Sequence, residues 1–519
     1  MVDPQNQAAA WIKNMYKQDI QVTTLNNKRF RMILENAVEN GLPLLIEDVE
    51  EEIDPVLDPI LEKQYIITGT RKEVKIGDQT KQIDENFKLF ITTKLPNPKY
   101  SPETYAKTSI IDFTVTFGGL ESQLLSRTVN IERKELEEQR RQLLEEVNSN
   151  KKIALQLEGD LLERLSNTTG NLLDDSSLVE VLNKTKQTTE EVKEKLANAA
   201  ETEKRINEAR EEYVIVATRG AIIYFLITEM TLVNNMYQTS LKQFLDLFDL
   251  SILEAPPNNI AARRIQQIIS YMTLKLFKYV MRGLYERDKL LFVLNLCLKI
   301  DMKKDKISQQ EFFVFIRGGA ALDLSNIKSK PQFVADNSWL NVVALSALSA
   351  FAQLPQQISE NESEWKNYYN EEAIEIAKLP QEYEGRLNEF QKLLLIRCLR
   401  EDRTMLAASA YIQSCFASKD PSMKEDGKEF VEPVVADYDD ILINETNQCM
   451  PVCFLLSLGS DPTGQLEMFA KKRKIELKSI SMGQGQEPAA RRLVADCITN
   501  GGWGNDQQFP SCYQVYGRG

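Results

Sequence analysis

Two heptad series constrain this chain more than any other feature of its sequence. Val129, Leu136, Leu143, Asn150 and Leu157 recur every seven residues, with Val147 and Leu161 on companion positions. Ser166-Asn167-Thr168-Thr169-Gly170-Asn171 is a polar break, after which Leu178, Thr185, Val192, Ala199, Ile206 and Tyr213 repeat the spacing beside Leu182 and Leu196. Apolar residues at this period form a seam along one side of a helix, and a seam needs a partner to bury it. Two similar arms around one polar turn predict an antiparallel coiled-coil hairpin. Each arm would be on the order of 60 Å long at about 1.5 Å per residue.

The flanks read differently. Pro43-Leu44-Leu45-Ile46, closed by Glu47-Asp48, is predicted as a buried parallel strand delivering acids at its C-terminal end. A second strand is predicted over 87–93, and Asp54-Pro55 and Asp58-Pro59 have proline at a first helical position. Residues 213–403 carry helical periodicity, as in Leu241, Phe244, Leu245 and Phe248. After Pro433 the pattern returns to α/β, with Val452 to Leu456 expected as a buried strand and Ile480-Ser481-Met482 as the start of another.

Composition removes whole classes of function. The 519 residues contain no histidine, which excludes imidazole acid–base chemistry, Ser-His-Asp systems and histidine zinc sites. With 76 acidic against 63 basic residues and a net charge of -13, neither nucleic acid nor an anionic membrane is an expected partner. The seven cysteines form no C-x-x-C, so no metal ligands are assigned and reduced thiols are expected. The N-terminus has no leader pattern, and apolar runs such as 221–227 are shorter than a bilayer span; a soluble, cytoplasmic protein is the expectation.

One loop has the spacing of a phosphate loop without its chemistry. Gly459 and Gly464 stand where G-x-x-x-x-G-K-[S/T] requires glycines, but Gln465 and Leu466 follow in place of lysine and a hydroxyl. Glutamine supplies no charge to terminal phosphates, and leucine holds no magnesium. Glu47-Asp48 resembles a Walker B pair in reversed order, with no phosphate loop expected before it in this chain. No catalytic residue is assigned.

Several motifs stand in order along the chain: Asp3-Pro4-Gln5 with Ala8-Ala9-Ala10-Trp11-Ile12-Lys13-Asn14, Leu44 to Val49 with Ile53-Asp54-Pro55, and Ile91 to Pro98. Gly119 to Leu125, Met236 to Leu241, Gly318-Gly319-Ala320 and Ser481 to Glu487 continue the series. From residue 1 to about 503 this order resembles the dynein heavy chains, and Thr185-Lys186-Gln187-Thr188, Ala200-Glu201-Thr202-Glu203 and Ala217-Thr218-Arg219-Gly220 resemble the axonemal outer-arm class most. The resemblance implies a mixed α/β and α fold. It places the C-terminal part of a fifth AAA+ large subdomain at 1–118 and a buttress (strut) coiled coil at 119–212, turning near 166–171. A helical lid would follow at 213–384, and the N-terminal part of a sixth module at 385–503. Residues 504–519 depart from the family pattern and are expected not to fold. It also implies sensor-like roles for Thr93 and Asn97, and an internal repeat. In that repeat residues 3–8 answer to 482–487, and Gly41-Leu42-Pro43-Leu44 answers to Gly501-Gly502-Trp503.

On this resemblance the chain is a fragment with a mechanical role in a minus-end-directed microtubule motor of the ciliary or flagellar axoneme. ATP and magnesium act in other modules, and no cofactor is expected here. The expected partners are the rest of the heavy chain ring and stalk, intermediate and light chains, and microtubules. The seam residues Val129, Leu136, Leu143, Leu157, Val192 and Ile206 would carry the function. The alternatives are an active P-loop ATPase and a coiled-coil scaffold that dimerises in parallel.

Overall fold

The run Leu44-Leu45-Ile46 becomes the middle of a parallel sheet in the computed structural model. That structure describes residues 1–17, 19–50, 52–68, 71–77, 79–95, 98–167, 195, 199–319, 330–380, 383–417, 427–434, 437–447, 450–454, 456, 461–481 and 485–507. They fall into two units, 1–432 and 433–519. In chain order the first unit opens with α1 (Gln7–Tyr16), β1 (Gln21–Thr24), α2 (Phe30–Asn40), β2 (Leu44–Glu47) and the single turn α3 (Asp58–Leu61). An antiparallel ribbon follows, of β3 (Tyr65–Thr68), β4 (Arg71–Ile76) and β5 (Gln79–Gln82), then β6 (Leu89–Ile91) and α4 (Pro102–Lys107).

β2 lies between β1 and β6, both parallel to it, with Val22, Leu45 and Phe90 level across the sheet. Side chains alternate across a strand, so Leu44 and Ile46 pack with Leu34, Val38 and Val74 on one face while Leu45 packs with Ala9 and Ile12 on the other. A sheet covered on both faces explains why the run is continuously apolar. Beyond β6 the chain's own start joins the array: Val2 bridges Thr93 on one side and Asp112 on the other, both in parallel. The spatial order is therefore β1, β2, β6, residues 1–3, residues 111–113. The first strand segment lies between the fourth and the fifth, as in a doubly wound sheet.

A helical layer makes up the remainder of the first unit. α5 (Phe117–Glu132) is capped by Thr116, ends at Arg133, where φ and ψ leave the helical region, and is followed at once by α6 (Lys134–Asn167). α7 (199–211) leads back to α8 (Val214–Glu229), which packs against α5, α10 (Ala261–Met281) and α11 (Glu286–Lys303). α9 (Leu241–Glu254) lies against α5 and α10. The stretch Val214–Leu232 is long and apolar enough to cross a membrane, longer than the runs the sequence had suggested. It is a core helix: Val216, Ala217, Ala221 and Ile223 are buried against these neighbours. Gly220 permits the approach, since a Cβ there would stand 2.7 Å from Phe248 Cε2 and 3.0 Å from Leu124 Cδ1.

The layer continues through α12 (Gln309–Arg317), α13 (Asp336–Leu345), α14 (Leu354–Glu360), α15 (Glu362–Asn370), α16 (Glu389–Leu399) and α17 (Thr404–Phe416). α16 packs on α13 and α17, and α17 on α11, so a boundary at 385 does not separate the units; the break falls at Pro433.

The second unit holds α18 (Thr463–Arg473), β7 (Leu477–Ser481), α19 (Glu487–Asn500) and β8 (Trp503–Gln507), the two strands parallel. Three expectations change here. Residues 450–454 form no strand, and Cys453 and Phe454 are exposed; among the described residues no neighbouring strand pairs with them. The strand expected to begin at Ile480 spans Leu477–Ser481 instead. Residues 504–507, read as unable to fold, pair with β7, because ladder bonds use backbone and need no apolar period. Trp503 anchors that strand by stacking on Phe469. Residues 508–519 lie outside the described part.

The internal repeat holds in its second half. β1–α2–Gly41–β2 and β7–α19–Gly501–β8 have the same order, each helix ending on a glycine at positive φ before a parallel strand. Its first half is out of step by one helix: residues 3–8 lead into α1, whereas 482–487 lead into the counterpart of α2.

Candidate functional site

In an open parallel sheet, ligands bind outside the carboxyl ends of the strands, where the strand order reverses. Here that edge presents Asp3 after the first segment, Glu47 and Asp48 after β2, and Thr93 after β6. The turn from Asp3 to Asn6 enters α1 with Asn6 at φ 58, so this strand–turn–helix occupies the position of a phosphate loop. The sequence predicts no phosphate-loop position before Glu47; the structure corrects this, because Val2, ahead of the turn, is paired on both sides, to Thr93 and to Asp112.

The first-turn N–H groups of a helix have no partners within the helix and favour an anion. In this chain the anion is internal. Asp3 is fully buried; its Oδ1 accepts from Gln7 N at 2.8 Å and its Oδ2 from Ala9 N at 3.0 Å. Lys13, one turn further along α1, meets Glu47 at 2.7 Å. Asp48 adopts φ 57 and pairs with Lys94 at 2.8 Å. Thr93 is buried, its hydroxyl accepting from Leu95 N at 3.2 Å. Glu47, Asp48 and Thr93 do share one edge, yet each is engaged by a neighbour from its own chain. Asn97 lies outside the described residues. Among the described residues no group of three acids and cysteines is placed to hold a metal.

The second loop fares similarly. Gly459 lies outside the described residues, and Gly464 stands in open space at the start of α18. Gln465 accepts a hydrogen bond from Tyr438 Oη at 2.8 Å, and Leu466 is buried with Phe469 and Ala470. Leu466 is a core residue of the helix, which accounts for leucine where a magnesium ligand would stand.

The two arms meet at their base. Thr218 donates to Glu121, Arg210 Nη2 donates to Ser126 at 2.9 Å, and Arg210 Nε lies 3.3 Å from Glu137. These contacts join α5 and the start of α6 to α7 and α8. Ala199, Ile206 and Tyr213 are buried seven residues apart, as is Val129, while Leu136 and Leu143 are half-buried. Val192 and the side chain of Leu157 lie outside the described part.

Comparison with known proteins finds two family models along the chain. Residues 1–192 match the model of the "ATP-binding dynein motor region", and residues 447–505 that of the "Dynein heavy chain region D6 P-loop domain". Dynein axonemal heavy chain 5 of Mus musculus and dynein axonemal heavy chain 8 of Homo sapiens are each 49% identical over 97% of this chain. The dynein gamma chain of the flagellar outer arm of Chlamydomonas reinhardtii is 46% identical over the same share. The chain belongs to the axonemal dynein heavy chains. It spans 11% of the length of each of these relatives.

Sequence reasoning missed the groups that close the sheet edge and fix the arms in this dynein segment. Lys13 and Lys94 are ordinary surface lysines in sequence, and Asp3 reads as a turn residue. Arg264 is the clearest omission. Its Nε and Nη2 donate to the two carboxylate oxygens of Glu132 at 3.1 and 2.6 Å, and its remaining N–H groups reach the carbonyls of Ile252, Ala255 and Pro256. One signal was available: Glu132 ends α5 and Arg264 lies in the first turn of α10, each at the helix end its charge disfavours.

Proposed function

We propose that this segment works mechanically in an axonemal dynein motor: it carries the base of a coiled-coil hairpin and transmits movement of a ring to a stalk, and it binds no nucleotide. The observation that carries the reading is the fixed root of the arms. Glu132, Ser126 and Glu121 on the first arm are tied to Arg264, Arg210 and Thr218, so displacement of the helical layer moves both arms together. Arg210 is a buried charge beside the seam, a device that fixes register between paired helices. In this reading the chain acts in the cilium or flagellum with the rest of the heavy chain, with intermediate and light chains and with microtubules. The parent heavy chain supplies ATP hydrolysis elsewhere.

Absence of nucleotide binding follows from the internal anion. A phosphate at α1 would have to displace the Asp3 carboxylate, and in the second unit Gln465 offers no charge. Calorimetric titration of the chain with Mg-ATP is expected to give no binding heat. A dissociation constant in the low micromolar range would restore the ATPase reading, which the wording of the matching motor-region model favours. For the hairpin, cysteines replacing Glu121 and Thr218 are expected to cross-link within one chain; links formed only between chains would favour the scaffold.

A further inference from the structure

Away from the sheet edge, two cysteines stand on helices that pack against each other in the helical layer. Cys297 and Asp301 lie one turn apart on α11, and Tyr411 and Cys415 lie one turn apart on α17. The two pairs are opposed: Tyr411 Oη donates to Asp301 Oδ2 at 2.8 Å, and Cys415 Sγ lies 3.9 Å from the same oxygen. Cys297 lies one turn before Asp301 on the same side of α11, and α11 packs against α17, so its thiol belongs to this group. Cys297 is fully buried, whereas Cys415 is partly exposed.

We propose that Cys297 and Cys415 form a dithiol oxidation site, in which a hydroperoxide oxidises Cys415 and Cys297 then closes a disulfide joining α11 to α17. The attacking sulfur must be both reachable and ionised. Cys415 is partly exposed, and the neighbouring Cys297 thiol, followed by the positive charges of Arg219 and Lys306, lowers its pKa although burial works the other way. Asp301 opposes that ionisation, but its own charge is shared with Lys306 at 3.2 Å and with Tyr411. Cys297 is suited to the second role, since burial holds it as the thiol and out of reach of oxidant.

The chemistry balances with hydrogen peroxide as the two-electron oxidant. The Cys415 thiolate attacks one peroxide oxygen, the O–O bond breaks, and hydroxide leaves as water, giving a sulfenic acid. The sulfur of Cys297 attacks the Cys415 sulfur, the S–O bond breaks, and the proton of Cys297 leaves with the hydroxyl as a second water. Two thiols become one disulfide and one peroxide becomes two waters.

The test is peptide mapping of the whole chain after hydrogen peroxide, with free thiols then blocked by a maleimide. The expected product is a linked peptide pair containing Cys297 and Cys415, lighter by two hydrogens and split by reductant. In Cys297→Ser the reaction should stop at Cys415 sulfenic acid, trapped by dimedone; in Cys415→Ser, Cys297 should stay reduced. Peroxide that oxidises exposed Cys453 and leaves Cys297 and Cys415 unlinked in the unsubstituted chain would overturn the proposal. Oxidation of Cys297 in Cys415→Ser would overturn the assigned order of attack.

Discussion

Replacing Arg264 by alanine tests whether the root of the arms is held as the geometry states. The side chains of Arg264 and Glu132 retain 13% and 14% of their exposure, so the pair is largely out of water. Deleting one partner of a buried pair strands the other charge, at about 3–5 kcal/mol. Two corrections lower that figure: the pair keeps a little solvent, and the carbonyl of Pro256 lies at the surface and can take water in place of the guanidinium. We therefore expect about 3 kcal/mol, which at 1.36 kcal/mol per factor of ten is roughly a hundredfold in a local opening equilibrium. Native-state hydrogen exchange read by mass spectrometry should show that loss of protection in peptides covering 129–136 and 252–264, with the β1–β2–β6 sheet unchanged. The double variant Arg264→Ala with Glu132→Ala should lose less than the sum of the single variants, because neither charge is then stranded. A change below about tenfold, or strict additivity, would refute the clamp.

Three further outcomes follow from positions elsewhere. Gly220→Ala gains about 1 kcal/mol of helix propensity but forces a methyl against the buried Phe248 and Leu124, so a net loss of about 1–2 kcal/mol is expected in chemical denaturation. Leu143→Pro interrupts α6 at about 3 kcal/mol or more; in a full-length motor it should slow microtubule gliding with basal ATP turnover kept, and normal gliding would make the arm passive. Burial pushes the Cys398 thiol up to about 12, so its reactive thiolate is scarce below that pH; the native chain at pH 9 should leave it unalkylated, and unfolding should expose it to iodoacetamide.

Local chemistry was legible where a residue's neighbours in sequence decide its structure. Asp54 caps the short 3-10 turn at Pro55, Pro59 stands in the first turn of α3, and the run from Leu44 to Glu47 is a strand because both faces of its sheet are covered. Ala199, Ile206 and Tyr213 are buried at the spacing read from sequence. The same reasoning failed over 452–454, an equally apolar run, because a strand also needs a neighbour to pair with and none is found there among the described residues. The opening segment was missed for the opposite reason: Met1 to Asp3 is too short to show a period, and its place in the sheet comes from bonds to Ile91, Thr93 and Ile111. The candidate site was half legible. Its acids stand at a strand end as expected, but the groups that neutralise them come from other elements. The Glu132–Arg264 pair spans 132 positions that no local pattern connects.

The break at Arg133 separates two jobs along a single arm. Glu132 is the last residue of α5 and is held by Arg264; Lys134 is the first of α6, whose 34 residues extend about 50 Å. A helix continuous through this point would have to carry every deflection of its far end back into the clamp as torque. With the helical bonds interrupted there, bending can concentrate at one residue, and a rotation of about 5° sweeps the far end through about 4 Å. The arm thus has the proportions of an oar in a rowlock: small angles at the pivot become displacements the size of a side chain at the blade, and the fastening at the gunwale stays in place.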